Sequence, residues 1–178
     1  MKKSLLIVVG LAIGLLGSVR AGAGEWETDF AKASEQAKKE SKHMLLDFSG
    51  SDWCGWCIKL DKEVFKKSEF KEYAKQNLVL VLLDFPHSKP QSKKLKDQNK
   101  ELASKYEVKG FPSVIVLSPE GELVGKTGYQ PGGPEKYVEH LKAMIGKGKP
   151  AGETTPASDE KKPATTKPGT TTKPAKKK

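Results

Sequence analysis

The chain has 178 residues, with 32 Lys and Arg against 22 Asp and Glu, and a formal net charge of +10. Residues 1–23 hold +3 of that charge and residues 147–178 hold +6, which leaves +1 for residues 24–146. The basic total therefore gives no sign of a basic face on the folded part, and the central 123 residues suit one domain with a single buried core.

Lys2 and Lys3 precede an apolar stretch from Leu5 to Leu16 and an A-x-A end at Ala21-Gly-Ala23. This is the pattern of a secretory signal peptide over residues 1–23, because the apolar run is shorter than the roughly 20 residues that a spanning helix needs. An uncleaved N-terminal anchor is the alternative. No cysteine follows the run, which speaks against a lipid-anchored form. Export implies a periplasmic or extracellular location where disulfides form.

The middle of the chain alternates helix and strand signals. Thr28 is placed to cap a helix with Phe30, Ala33 and Ala37 on one face, ending near Ser41. Leu45 to Phe48 reads as a buried strand. A second helix begins at the cysteines and runs through Leu60 towards Val64 and Phe65, and Ser68 then caps a turn or two bearing Phe70, Tyr73 and Ala74. Leu78 to Leu83 is a continuous apolar run, as in a central strand covered on both faces. Ser88 and Pro90 open a helix with Leu95, Leu102 and Tyr106 near one stripe. Val114 to Leu117 is the next strand, Pro119-Glu-Gly121 a turn, and Leu123 to Thr127 its hairpin partner. Gly133 and Pro134 start a last helix with Tyr137, Val138, Leu141 and Ile145 on one face. The order α-β-α-β-α-β-β-α implies an α/β fold, a mixed sheet with helices on both sides.

From residue 147 onward the chain is mostly Lys, Pro, Thr, Ala and Gly, with Lys-Pro at 149–150, 162–163, 167–168 and 173–174. It has no aromatic or large apolar residue and reads as a disordered tail. A plain solvated tail is one reading, and a polycationic arm for anionic envelope polymers or lipid headgroups is the other. Nucleic acid is the weakest partner, since no aromatics are interleaved for stacking.

Cys54 and Cys57 are the only cysteines, spaced C-x-x-C where a strand hands over to a helix. Two thiols that close can cycle between dithiol and disulfide, and a helix N-terminus stabilises the thiolate of the first. An inert staple is a poor alternative, because a three-residue spacing closes almost no chain entropy. Zinc would need two more ligands from His43, His87 and His140, which have no ligand spacing among them. Haem attachment needs His after the second Cys, where Ile58 stands. No cofactor beyond a redox disulfide is expected. The three histidines read as surface or strand-edge residues, with His87 the one nearest a loop that borders the active face.

Asp47-Phe48, Trp53-Cys-Gly-Trp-Cys57, Gly110-Phe-Pro112 and the closing strand pair together resemble the thioredoxin superfamily, over roughly residues 26–146. Trp26 to Phe30 and Ser49-Gly-Ser-Asp-Trp53 look most like exported thioredoxin-like proteins related to the reducing C-terminal domain of transmembrane thiol transporters. The resemblance implies a thioredoxin fold over 24–146 and thiol–disulfide exchange with protein substrates. Cys54 is then the nucleophile at an exposed first helical turn, and Cys57 resolves the mixed disulfide.

Asp47 matches the buried carboxylate beneath the second cysteine, able to take its proton. Two departures stand against that role: six residues separate Asp47 from Cys54 where five are typical, and the accompanying lysine is missing from the strand Leu78–Leu83. An Asp that ends a strand and bonds backbone is the alternative. Pro112 resembles the family's cis-proline, with the groove for an extended substrate beside it. Phe111 is bulkier than usual and should narrow that groove. Trp53 is expected to shield the sulfurs and touch substrate, while Trp56 replaces the usual proline and either tunes the redox poise or touches partners at the rim. Asp52 reads as a solvated loop acid and Trp26 as a core or docking aromatic. The direction implied by the resemblance is reductive, with electrons from a membrane-embedded reductant. The competing reading is a binding module tethered to the envelope by its tail, without turnover.

Overall fold

The computed structural model describes residues 25–147. The expected signal peptide lies outside the described residues, as does the expected tail beyond Lys147. In chain order the elements are β1 (Trp26–Glu27), α1 (Phe30–Glu40), β2 (His43–Ser49), α2 (Gly55–Leu60), α3 (Ser68–Asn77), β3 (Leu78–Asp84), α4 (Lys93–Lys105), β4 (Ser113–Leu117), β5 (Leu123–Thr127) and α5 (Gly133–Lys147). A π-helical turn, Asp61–Phe65, continues α2.

The apolar strands β2 and β3 pair in parallel along their full length, from His43 opposite Leu78 to Ser49 opposite Asp84. β4 adds antiparallel to β2, β5 antiparallel to β4, and β1 parallel to the far side of β3, so the sheet order is β1-β3-β2-β4-β5. Side chains alternate between the two faces of a strand, so each strand feeds two cores. Leu45, Leu80, Val114 and Val116 meet α2, α3 and α5 through Leu60, Phe70, Tyr137 and Leu141. Met44, Leu46, Phe48, Val81 and Ile115 meet α1 and α4 through Ala33, Ala37 and Leu102. This is the thioredoxin fold, with a mixed sheet covered on both faces.

Local contacts depart from the sequence expectations at four places. β1 is two residues long, too short to show a period, and forms because the edge of β3 offers unpaired backbone groups to Trp26 and Glu27. Asp29 rather than Thr28 caps α1, its carboxylate accepting the N–H of Lys32 at 3.2 Å, while Thr28 gives its carbonyl to Gln98. Lys67 rather than Ser68 is the capping residue of α3, which runs ten residues, and the Ser68 hydroxyl turns to Glu69 instead. α4 begins at Ser92, whose hydroxyl accepts the Leu95 N–H, instead of at Ser88 and Pro90, and Ser88 belongs to the loop held by Asp52.

Asp29 also holds Lys94 of α4 at 3.0 Å, so one carboxylate caps α1 and ties it to α4. Asp29→Ala is expected to lower the denaturant midpoint, and Asp29→Asn to restore most of it. Denaturant unfolding of the three proteins checks this, and a wild-type midpoint in Asp29→Ala would show that the cap contributes nothing.

Candidate active site: the Cys54–Cys57 disulfide

β2 ends at Ser49 and the chain turns through Gly50, whose carbonyl accepts the N–H groups of Trp53 at 3.3 Å and Cys54 at 2.9 Å. Gly50 is required here, because a Cβ would lie 2.5 Å from the Trp53 ring. Asp84, at the end of β3, fastens the turn by accepting the Ser51 N–H at 2.9 Å and hydroxyl at 2.6 Å. The extra residue between Asp47 and Cys54 is absorbed in this turn.

Cys54 is the N-cap of α2, and its sulfur accepts the Cys57 N–H at 3.2 Å. The two cysteines are joined in a disulfide, with Cα atoms 5.3 Å apart. The first sulfur thus faces the unpaired N–H groups of the helix, where a thiolate is favoured. The expectation of an exposed first-turn nucleophile is corrected: Cys54 precedes the first turn and retains 6% exposure, against 4% for Cys57. The neighbouring tryptophans stand out instead, Trp53 at 42% and Trp56 at 57%.

Asp47 shares the face of β2 that carries Leu45, which is the face α2 covers. Cys57 and Asp47 therefore line one cavity of about 200 Å³ with Trp26, Ser49, Ser51, Ile58, Asp61, Phe65 and Leu82. None of these is cationic. Leu82 stands directly across the ladder from Asp47, on the strand where the resemblance led one to look for lysine. Asp47 Oδ1 has no hydrogen-bond partner among the described residues. Burial, with smaller repulsions from Asp61 and Asp84, pushes its carboxyl up to about 7. The reading of Asp47 as an acid that ends a strand and bonds backbone does not fit that unpaired oxygen.

Phe111–Pro112 is a cis peptide bond. Pro112 immediately precedes β4, whose Ser113 pairs with Phe48 near the end of β2, so both loops leave the same end of the sheet. Phe111 and Trp53 meet edge to face at 5.7 Å, and Phe111 also packs on Phe85 at 5.1 Å. Sequence reasoning underrated the other partners here. Asp52 is no free acid: its two oxygens accept the N–H groups of His87 at 3.0 Å and Ser88 at 2.7 Å, which hold its carboxyl below the usual range. His87 lies flat on Trp53, ring centroids 4.4 Å apart, and the Trp53 indole N–H donates to the Phe85 carbonyl at 2.7 Å.

Trp56 leans on Tyr129 at 5.1 Å, a residue that no sequence signal singled out because the loop after β5 carries no motif. Trp26 packs on Phe65 and walls the Asp47 cavity. His43 is half-buried, which lowers its basicity, and His140 meets Thr127 at 3.0 Å. Neither is near the disulfide's lining. Among the described residues no group of three or more His, Cys, Asp or Glu side chains is arranged to hold a metal ion.

A family model described as a thioredoxin-like domain matches residues 30–145. The chain belongs to the thioredoxin-like family. This thioredoxin-like protein is 38% identical over 121 residues to the disulfide bond reductase DsbH of Chlamydia pneumoniae, a match covering 68% of this chain and 72% of the relative. A solved structure of a DsbH oxidoreductase superimposes with a TM-score of 0.66 at 36% identity, covering 74% of this chain and 92% of the other. The thiol:disulfide interchange protein DsbD 2 of Pseudomonas aeruginosa is 37% identical over 86 residues, 48% of this chain but 13% of that protein. With its C-x-x-C pair at the head of α2, this thioredoxin-like protein is a thiol–disulfide oxidoreductase.

The folded carboxyl of Asp47 keeps its proton to about pH 7, whereas the unfolded side chain releases it near 3.8. The folded state binds more protons between these values, so Asp47 lowers stability progressively as pH rises across that window. Asp47→Asn is expected to stabilise the oxidised protein by about 2–4 kcal/mol above pH 7 and not at all below pH 4. Urea unfolding at pH 4 and pH 8 measures it, and an equal effect at both values would dismiss the buried-acid account.

Proposed function

We propose that this protein is an exported reductase of protein disulfides. On this reading residues 1–23 direct export, and a membrane-embedded reductant recharges the pair outside the cytoplasm. The observation that carries the proposal is the cavity shared by Cys57 and the Asp47 carboxyl with its unpaired Oδ1, which supports Asp47 as the proton acceptor for the second thiol. The reductive direction is supported by the similarity to the chlamydial disulfide bond reductase over most of both chains.

Reduced Cys54 attacks as the thiolate. One substrate sulfur bonds to Cys54, the substrate disulfide breaks, and the other sulfur leaves as a thiolate that takes up a proton. Cys57 then gives its proton to the Asp47 carboxylate and attacks Cys54, releasing the second substrate thiol and leaving the intramolecular disulfide. Two electrons pass from the dithiol to the substrate. Asp47 must be ionised to accept the proton, so this step speeds up as pH rises through about 7.

Trp53, Phe111 and Pro112 form one side of the proposed substrate groove and Trp56 the other. Main-chain pairing of an extended substrate beside Pro112 and aromatic contact on both sides would hold the target disulfide over Cys54. The tail beyond residue 147 is assigned an accessory role, contact with anionic envelope surfaces.

Cys57→Ser should leave the attack intact and strand the substrate as a mixed disulfide on Cys54, visible on non-reducing gels as adducts that dithiothreitol removes. No adduct in the exporting cell would sink the exchange reaction for proteins. A Cys54–Cys57 reduction potential near about −270 mV fits a reductase, whereas one near about −120 mV would reverse the direction. Asp47→Asn is expected to slow the resolving step by about 10²-fold and to flatten its rise with pH; stopped-flow release of substrate thiol across pH 5–9 reads both.

A further inference from the structure

The Trp56 side of the groove carries a charge that the sulfur chemistry does not use. Lys59 Nζ lies 5.0 Å from the ring centroid of Trp56 and 5.0 Å from that of Tyr129. The two rings pin the ammonium by cation–π attraction and leave its outer side in water, with 44% of the side chain exposed. A plain helix-surface pair with Glu63 would be the ordinary explanation. Glu63 is, however, engaged elsewhere: its Oε2 accepts the Tyr129 hydroxyl at 2.7 Å, and its Oε1 stands 4.0 Å from Lys59, the outer limit of an ion pair. Glu63 orients Tyr129, Tyr129 and Trp56 orient Lys59, and the positive charge stays incompletely answered.

The acids nearest the disulfide have their oxygens in use or out of reach. Asp52 gives both oxygens to backbone N–H groups, Asp84 gives both to Ser51, Asp61 is paired with Lys66, and Asp47 is buried. The rim of the groove thus pairs an exposed aromatic surface with a cation whose carboxylate neighbour, Glu63, stands at 4.0 Å and leaves the outer side of the ammonium open.

We infer that Lys59 is a specificity-determining residue and that this enzyme favours disulfides flanked by acidic side chains. The inference rests on the reading of the protein as a reductase of protein disulfides. A carboxylate beside the target cysteine would reach the ammonium above Trp56 while the neighbouring backbone lies along the groove. A lysine there would meet like charge.

The test uses the reduced full-length protein and three fluorogenic disulfide peptides that differ only in the residues flanking cysteine, as Glu, Gln or Lys. The expected kcat/KM order is Glu above Gln above Lys, with Glu about threefold to fivefold above Lys at low salt. The ratio should shrink towards one at high ionic strength. Lys59→Gln should bring the Glu-to-Lys ratio close to one at low salt, and Lys59→Arg should preserve it, since guanidinium also stacks on aromatic rings. Lys62→Gln removes an equal charge from the neighbouring π-helical turn and should leave the ratio standing. Equal rates for the three peptides, a ratio that survives in Lys59→Gln, or an equal collapse in Lys62→Gln would each overturn the assignment. Failure to reduce any of the peptides would instead refute the reductase reading itself, and the specificity with it.

Discussion

Everything about this site depends on keeping a carboxyl group dry beneath a disulfide. Asp47 lies on the core-facing side of the central strand β2, where the alternation of side chains leaves it no route to bulk water except the small cavity it shares with Cys57. No cation lines that cavity, and the strand position across the ladder is Leu82. The protonated form is therefore favoured until about neutral pH. A group in that condition is a liability for folding and an asset for chemistry. It costs stability when it ionises, and in the proposed mechanism it is the base that takes the departing thiol proton.

The second constraint is mechanical. Three loops meet around the cysteine pair, two of them fastened to each other by polar groups and the third packed on through Phe111. Asp84 holds the turn before Cys54, Asp52 holds the loop after β3, and the Trp53 indole donates to that loop while packing on Phe111. These bonds use backbone donors and acceptors that have no ladder partner at the end of the sheet. The consequence is that the two exposed tryptophans have different supports. Trp53 is locked between His87 and Phe111, whereas Trp56 rests on Tyr129 and Lys59 at the opposite side. In the proposed groove one wall is therefore fixed by hydrogen bonds and the other is held by stacking and charge.

The relation to the chlamydial reductase is broad, since the match covers 68% of this chain and 72% of that protein. The more distant match to DsbD 2 covers a small share of that longer protein, so what is common there is confined to the thioredoxin-like portion.

The cysteine pair, the order of the strands and the apolar faces of the helices were legible in the sequence. Spacing and periodicity are local properties, and burial enforces them along each element. Asp47 was a candidate through the resemblance to thioredoxins alone, and the face of β2 that it shares with Leu45 is what the tertiary structure adds. What lay beyond sequence was decided by contacts between distant segments: the edge pairing that makes Trp26 a strand residue, the choice of Asp29 and Ser92 as caps, the capture of His87 and Ser88 by Asp52, and the meeting of Tyr129 with Trp56 and Lys59. Each joins groups that no periodic pattern relates, such as residues 52 and 87. Only closure of the sheet brings their donors and acceptors within bonding distance, and with it the degree to which both sulfurs are covered.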